Sequence, residues 1–327
     1  MKKQNKKVTN MFERDYLRQY QNFLREVRVE TFHSFPKEYK GIIECVNDSI
    51  DFFPKGDQEW DQAIHSLSGI LRCYLWKLTN WIAYEILNGK YFEASRNLRF
   101  LLEGSIWSIF MEDAIEDVIF KRTGGLSELG LKNEIIHLWK KARKENIYKE
   151  KNQGKRKHKA EKIVRDFFRE KSQTKSLRNM TAAEQTEYIQ DYALILSNKR
   201  LGYSIRRLID ELKEGFLPIN PQYRKRLKDT WANLCESAHF PGFFFEEISK
   251  DVDFIFVEKL SKHLFTQCFR NYLTTLDLFY SVVLWRWEFP QTVHRIKRIV
   301  KFWQRNLKVS FELTQTTLRF LDKKNKH

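Results

Sequence analysis

The chain is poor in the residues that make turns. Its 327 residues include only twelve Gly and six Pro. Loop-rich all-β folds need many turn residues, so the long stretches free of both residues favour helices. At this length a fold can bury roughly three quarters of its unfolded surface, and it therefore needs neither a disulfide nor a metal to be stable.

Cysteine is also scarce, and none of the four cysteines belongs to a CxxC pair. Their wide spacing argues against a zinc ribbon and against a disulfide framework, and it favours a reducing compartment. The four positions are Cys45, Cys73, Cys235 and Cys268.

Long apolar runs are missing as well. Residues 1–7 read MKKQNKK and are followed by polar residues, which is unlike a secretory signal. The most apolar segment, 273–287, contains Asp277 and Arg286. It is shorter than the roughly 20 residues that cross a bilayer, so it predicts a buried core helix with no transmembrane segment. We therefore expect a soluble, cytoplasmic protein.

Common catalytic motifs are lacking too. The sequence contains no GxxxxGK[ST], GxGxxG, GxSxG or HExxH. These motifs mark the commonest phosphate-binding, dinucleotide-binding, hydrolase and zinc-protease sites. The absence of these motifs therefore disfavours the standard enzyme classes, and no cofactor is expected. The sequence does not decide whether the protein is an enzyme.

Positive charge is what the chain has in excess. The formal net charge is +17, and it is concentrated in residues 1–7, 140–178 and 286–327. The summed charge of these three segments exceeds the net charge of the chain, so the rest of the chain is mildly acidic. Such segregation indicates a polyanionic partner, while the alternative is a solvated face that only aids solubility.

The densest basic run is KNQGKRKHKAEKIVR at 151–165. Its cations could release counterions from nucleic-acid phosphates. The run lacks the Trp, Phe and Leu face of a membrane-surface helix, which favours RNA or DNA backbone as the partner. The predicted contact residues are Lys155, Arg156, Lys157, Lys159, Lys162 and Arg165, with Arg295, Arg298 and Arg305 as a second patch.

Apolar residues recur at three- and four-residue steps along most of the chain, which predicts an all-α, multi-helix bundle. Capping and stop signals punctuate this pattern. The predicted helices cover 60–88 and 90–120, forming a hairpin around Asn88-Gly89, then 131–148, a helix from the Thr181/Glu184 capping box, one from Asn220-Pro221, one or two over 254–287, and a last one from Pro290.

Domain organisation follows the charge. We predict an N-terminal helical half at 1–148, a basic and partly flexible insertion or linker at 149–178, and a C-terminal helical half at 179–327. The insertion is interpreted as either mobile or an extended helix. The two halves could also form one domain overall.

One candidate catalytic group lies in the hairpin, in the segment RNLRFLLE. Arg99 and Glu103 are four residues apart, a spacing that usually forms an ion pair on a helix face. The alternative is that Arg96 and Arg99 bind a phosphate near Glu103.

Glu-x-x-His occurs three times, at Glu30/His33, Glu134/His137 and Glu236/His239. Di-iron helical bundles use this spacing twice. Glu134, His137, Glu236 and His239 are therefore the candidate metal ligands, although ordinary helix-face pairing explains the pattern equally and no metal is expected.

Two segments carry a resemblance to a family. KYFEASRNLRFLLEGSIW at 90–107 and LCESAHFPG at 234–242 resemble uncharacterised prokaryotic helical proteins, some of them similar to HEPN-type bundles associated with nucleotides or RNA. The likeness covers about a tenth of the chain, and Phe240 interrupts the distal Ser-x-x-His-Pro pattern. It implies a nucleotide- or RNA-associated bundle and makes His239 a catalytic candidate.

A catalytic HEPN protein would also carry Arg-x4–6-His. Here the one match is Arg28 with His33, near the N-terminus rather than in a late helix. The predicted function is therefore non-catalytic association with RNA or DNA backbone. The alternatives are a metal-dependent or RNA-cleaving bundle, and an assembly factor with an apolar surface at 243–245 or along 293–307, for which homo-oligomerisation would be the sign.

Overall fold

The computed structural model of the protein describes residues 2–49, 67–123, 129–171, 181–212, 219–238, 260–286 and 290–324. Every regular element within these ranges is helical, which confirms the all-α prediction. The helices are α1 (Lys2–Ser34), α2 (Pro36–Ser49), α3 (Leu67–Leu87), α4 (Tyr91–Thr123), α5 (Leu129–Lys144), α6 (Gln153–Lys171), α7 (Ala182–Ser197), α8 (Ile205–Glu211), α9 (Pro221–Ala238), α10 (Lys262–Arg286), α11 (Pro290–Leu307) and α12 (Glu312–Lys324), with short 3₁₀ turns at Ile147–Lys149 and Lys199–Gly202.

The predicted helix boundaries are formed by the expected residues. Thr181 and Glu184 make both hydrogen bonds of a capping box at the start of α7. Asn220 caps α9 by accepting a hydrogen bond from the backbone N–H of Tyr223 at 2.7 Å. Gly89 follows α3 with φ 76°, the left-handed conformation that stops a helix. Local chain chemistry therefore sets these ends.

The described residues group into two compact units. Those within 1–53, 74–103 and 213–327 form the first unit, and those within 54–73 and 104–212 form the second. This division differs from the predicted halves because residues 74–87 of α3 and 91–103 of α4 group with the C-terminal helices, while residues 104–123 of α4 group with α5. The contact between Trp76 on α3 and Phe279 on α10, with ring centroids 5.5 Å apart, is one example.

The first unit is built around α10. Residues 275–284 of this helix are all buried, which confirms the predicted core helix. Helices α9, α11 and α12 pack against it, and α2 packs against α11. The α2 contact needs Gly41, since a Cβ atom there would lie 2.6 Å from the Trp303 ring. No helix in the described ranges is both long and apolar enough to span a membrane.

The second unit buries one face of α6 between α5 and α7. Its core contains Ile163, Val164 and Phe167 from α6, together with apolar residues of the neighbouring helices. Of the two interpretations of the basic insertion, the helix is the one found: residues 153–171 form a regular helix with one side in the core. Its apolar residues recur at helical spacing, but the surrounding lysines obscured that pattern. Residues 172–178 lie outside the described part.

Candidate nucleic-acid interface

Helix α6 begins at a capped turn inside the basic run. Asn152 accepts a hydrogen bond from the backbone N–H of Lys155 at 3.0 Å, which satisfies one of the free donors at the helix start. The preceding helix does not continue into the run, because Asn146 adopts a left-handed conformation with φ 55° just after α5. The cationic residues therefore sit on a helix with a defined first turn.

Arg156 anchors this helix. The side chain is only 6% exposed. Its Nε donates to the carbonyl of Ser197 at 2.8 Å, and its Nη1 donates to the carbonyl of Glu150 at 2.9 Å. Ser197 is the last residue of α7, where carbonyls lack helical partners and a cation is favoured. Arg156 was predicted to contact nucleic acid, but its burial and its bonds give it a structural role instead.

The other five predicted residues of the run are exposed to solvent. Lys155, Lys159, Lys162 and Arg165 lie on the side of α6 that faces away from Ile163 and Phe167, and Arg169 extends this side by one turn. Lys157 is exposed in the first turn of the helix, but it lies on the side of the buried Ala160 and Val164. From Lys155 to Arg169 the helix rises about 21 Å. Lys155, Lys159, Lys162, Arg165 and Arg169 are called the α6 basic face.

Positive charge exceeds negative charge around this face. Residues 140–171 hold fourteen Lys and Arg against five Asp and Glu, a surplus of nine positive charges. Lys159 forms an ion pair with the half-buried Glu150 at 3.0 Å, and this hydrogen bond is the main reason that the pKa of the Glu150 carboxyl is lowered. Lys155, Lys162 and Arg165 make no ion pair with a described residue.

A second basic stripe lies on α11. Arg298 and Arg305 are exposed as predicted, whereas Arg295 is half-buried. Lys301, which is not among the predicted contact residues, lies between them at a spacing of three and four residues and is also exposed. These three exposed cations, Arg298, Lys301 and Arg305, are called the α11 stripe.

The Arg99 and Glu103 pair links two helices. Arg99 Nε lies 2.9 Å from Glu103 Oε1, and this hydrogen bond raises the pKa of Arg99. The same oxygen accepts a hydrogen bond from Trp231 Nε1 of α9 at 3.0 Å. Arg96 instead lies 3.9 Å from Glu93 and is exposed. Glu103 therefore links α4 to α9 through a hydrogen bond, which the spacing of residues in the sequence could not predict.

The candidate metal ligands are not gathered by any described contact. His137 is exposed and packs over the Phe167 ring at 5.4 Å, while Glu236 is exposed in the first unit. His239 lies outside the described residues, as do residues 243–245. Among the described side chains, no group of three or more His, Cys, Asp or Glu is placed to hold a metal ion.

The Arg28 and His33 match does not form a pair on α1. Five helical residues correspond to a rotation of about 140°, so the two side chains leave different sides of the helix. Arg28 Nε donates to the carbonyl of Leu24 at 3.1 Å, and the exposed His33 ring meets Phe32 edge-on. This geometry gives no support for the two residues acting together.

Cysteine chemistry is also constrained. All four cysteines are free thiols. Burial raises the pKa of Cys45 and of Cys268 to about 12, so neither forms a thiolate readily at neutral pH. Both are core residues.

Exposed aromatic side chains are the feature that sequence reasoning missed. Helical apolar spacing favours burial of a tryptophan, and Trp76 and Trp303 are buried. Trp81, however, is 62% exposed, and Tyr74 on the same helix is 59% exposed. The apolar residues Ile296, Val300 and Trp303 of the predicted assembly seam are buried.

Comparison with known proteins gives no relative from which a role could be transferred: no family model matches the chain, and no curated protein or solved structure is significantly similar to it.

Proposed function

We propose that this protein associates with the phosphate backbone of RNA or DNA through the α6 basic face, without catalysis. The observation that carries the proposal is that α6 presents exposed cations on one side while its other side is fixed in the core of the second unit. A cation on a fixed helix loses less conformational freedom on binding than one on a flexible tail, because its backbone is already ordered.

The dimensions support a backbone contact. Duplex DNA carries one phosphate charge per about 1.7 Å of axis, so a basic face about 21 Å long spans roughly twelve phosphates. Base-edge recognition is not part of the proposal, since lysines dominate the face and phosphate contacts alone carry no sequence information. The α11 stripe is proposed as a second contact with the nucleic-acid backbone. We also propose a loose relationship to HEPN-type bundles and a location in the reducing cytoplasm.

The test is binding of the full chain to labelled RNA, single-stranded DNA and duplex DNA, measured by fluorescence anisotropy at low salt. The test variant combines Lys155→Gln, Lys162→Gln and Arg165→Gln. A matched control combines Arg18→Gln, Arg25→Gln and Lys40→Gln, three exposed cations on α1 and α2. Both variants lose the same net charge, so any difference between them reports position and not total charge.

We expect the α6 variant to bind at least about tenfold more weakly than wild type, and the control to stay within about twofold. Circular dichroism melts confirm that both variants are folded. If both variants bound equally weakly, total charge would explain the loss, and the α6 basic face would not be the binding site. Absence of binding by wild type at low salt would also overturn the proposal.

A further inference from the structure

A cavity of about 700 Å³ lies in the first unit, between α9, α10 and the connection that precedes α12. Its size falls within the range of small-molecule sites, which is roughly 300–1,000 Å³. The wall combines an apolar part, formed by Leu273, Val309 and Phe311, with polar side chains from both helices.

One buried wall residue lacks a partner. Asn271 is 4% exposed and lines the cavity, and its amide nitrogen has no hydrogen-bond partner within the described part of the chain. A buried amide that is left without a hydrogen-bond partner is unfavourable. A ligand oxygen that accepts from this amide would supply that partner.

The wall also contains cationic side chains that make no ion pair with a described carboxylate. Arg226 is engaged, since it lies 3.3 Å from Glu312 and over the Tyr223 ring. Lys225 on α9 and Arg270 on α10 are both exposed, and no described carboxylate pairs with either. The two helices thus each contribute one uncommitted cation to the same cavity.

The carboxylates of the cavity differ in availability. Asp277 accepts hydrogen bonds from the backbone N–H groups of Leu313 and Thr314 at 3.1 and 2.8 Å, so it is occupied as a cap for α12. Burial raises the pKa of its carboxyl, and the hydrogen bonds from Thr314 and Leu313 oppose that shift. Asp229 is exposed and remains available to accept hydrogen bonds from a ligand.

We propose that this cavity binds a small phosphate monoester of a hydroxylated metabolite. Lys225 and Arg270 would balance the two charges of the phosphoryl group, and the Asn271 amide would donate to one of the ligand's oxygen atoms. Asp229 would accept from a ligand hydroxyl, and the apolar wall would cover the uncharged part. This binding is independent of α6, because every residue involved belongs to the first unit.

The test is isothermal titration calorimetry of the full chain with AMP and ribose 5-phosphate, each paired with its non-phosphorylated counterpart, adenosine or ribose. We expect saturable binding of at least one phosphorylated ligand and none of its counterpart. AMP and ribose 5-phosphate together show whether a nucleotide or a sugar phosphate fits better.

Three variants locate the site. Arg270→Gln and Lys225→Gln should each weaken the binding about tenfold, the loss of roughly one charged contact. Arg319→Gln, an exposed cation of α12 outside the cavity wall, should leave it unchanged. All three changed side chains are exposed, so folding is retained.

Absence of saturable binding to either phosphorylated ligand would overturn the proposal, as would equal binding of adenosine and AMP or an unchanged affinity in Arg270→Gln. The triple α6 variant is expected to bind the phosphorylated ligand as wild type does. Failure of the nucleic-acid proposal would therefore leave this result intact, and the reverse also holds.

Discussion

Helices α6 and α11 have a similar arrangement of apolar and charged sides, but different contacts hold them in the fold. Both have an apolar side in the core and cations on the side that faces solvent. Helix α11 is held by the fully buried Trp303, whose indole N–H donates to Cys45 Sγ at 3.0 Å. Helix α6 is held in addition by a buried arginine that donates to two backbone carbonyls.

The difference shows that a basic segment contains cations of two kinds. Arg156 lies between two exposed lysines in sequence, yet it contributes to stability and not to the surface. Charge density alone cannot separate the two kinds, because both increase the count equally. Substitutions that test stability and binding separately can separate them.

The largest expected effect comes from the apolar anchor. Trp303→Ala should lower the free energy of unfolding by about 3–5 kcal/mol, because it removes a fully buried ring and leaves a cavity. Urea denaturation followed by circular dichroism measures this loss. Phe320→Ala on α12, where the ring is 53% exposed, serves as the aromatic control and should cost far less. Equal losses for the two variants would contradict the packing described for α11.

The polar anchor should have a smaller effect. Arg156→Met keeps much of the side-chain volume but removes both donations to carbonyls, so we expect a loss of about 1–3 kcal/mol. The same urea experiment measures it. Lys155→Met, next to it and exposed, is the matched control and should stay within about 0.5 kcal/mol of wild type. If the two variants were equally stable, Arg156 would not be an anchor.

The sequence was informative where local chemistry decides the structure. Capping residues such as Thr181 and Asn220 act through neighbours within three positions, so the helix starts they predicted are present. The all-α class followed from the same reasoning. The grouping into two units was not predictable, because it depends on contacts such as Trp76 with Phe279, which are about two hundred residues apart in sequence.

The candidate interface was predictable only in part. The lysines of the basic run are exposed, because charged side chains rarely lose their water, and their contact with nucleic acid stays a prediction. Arg156 was misassigned because its partners at 150 and 197 meet it only in the folded chain. Helical spacing alone would place Trp81 in the core, but an apolar face can also remain open to solvent, and Trp81 is exposed.

The central claim is that the α6 basic face contacts phosphates, and the dependence of duplex DNA affinity on salt tests it most directly. Each phosphate contact contributes about 0.9 to the slope of log affinity against log salt. Wild type and the variant carrying Lys155→Gln, Lys162→Gln and Arg165→Gln should therefore differ in slope by roughly 2.7 if all three cations bind phosphate. The Arg18, Arg25 and Lys40 control should keep the wild-type slope. An identical slope for wild type and the α6 variant would contradict the claim.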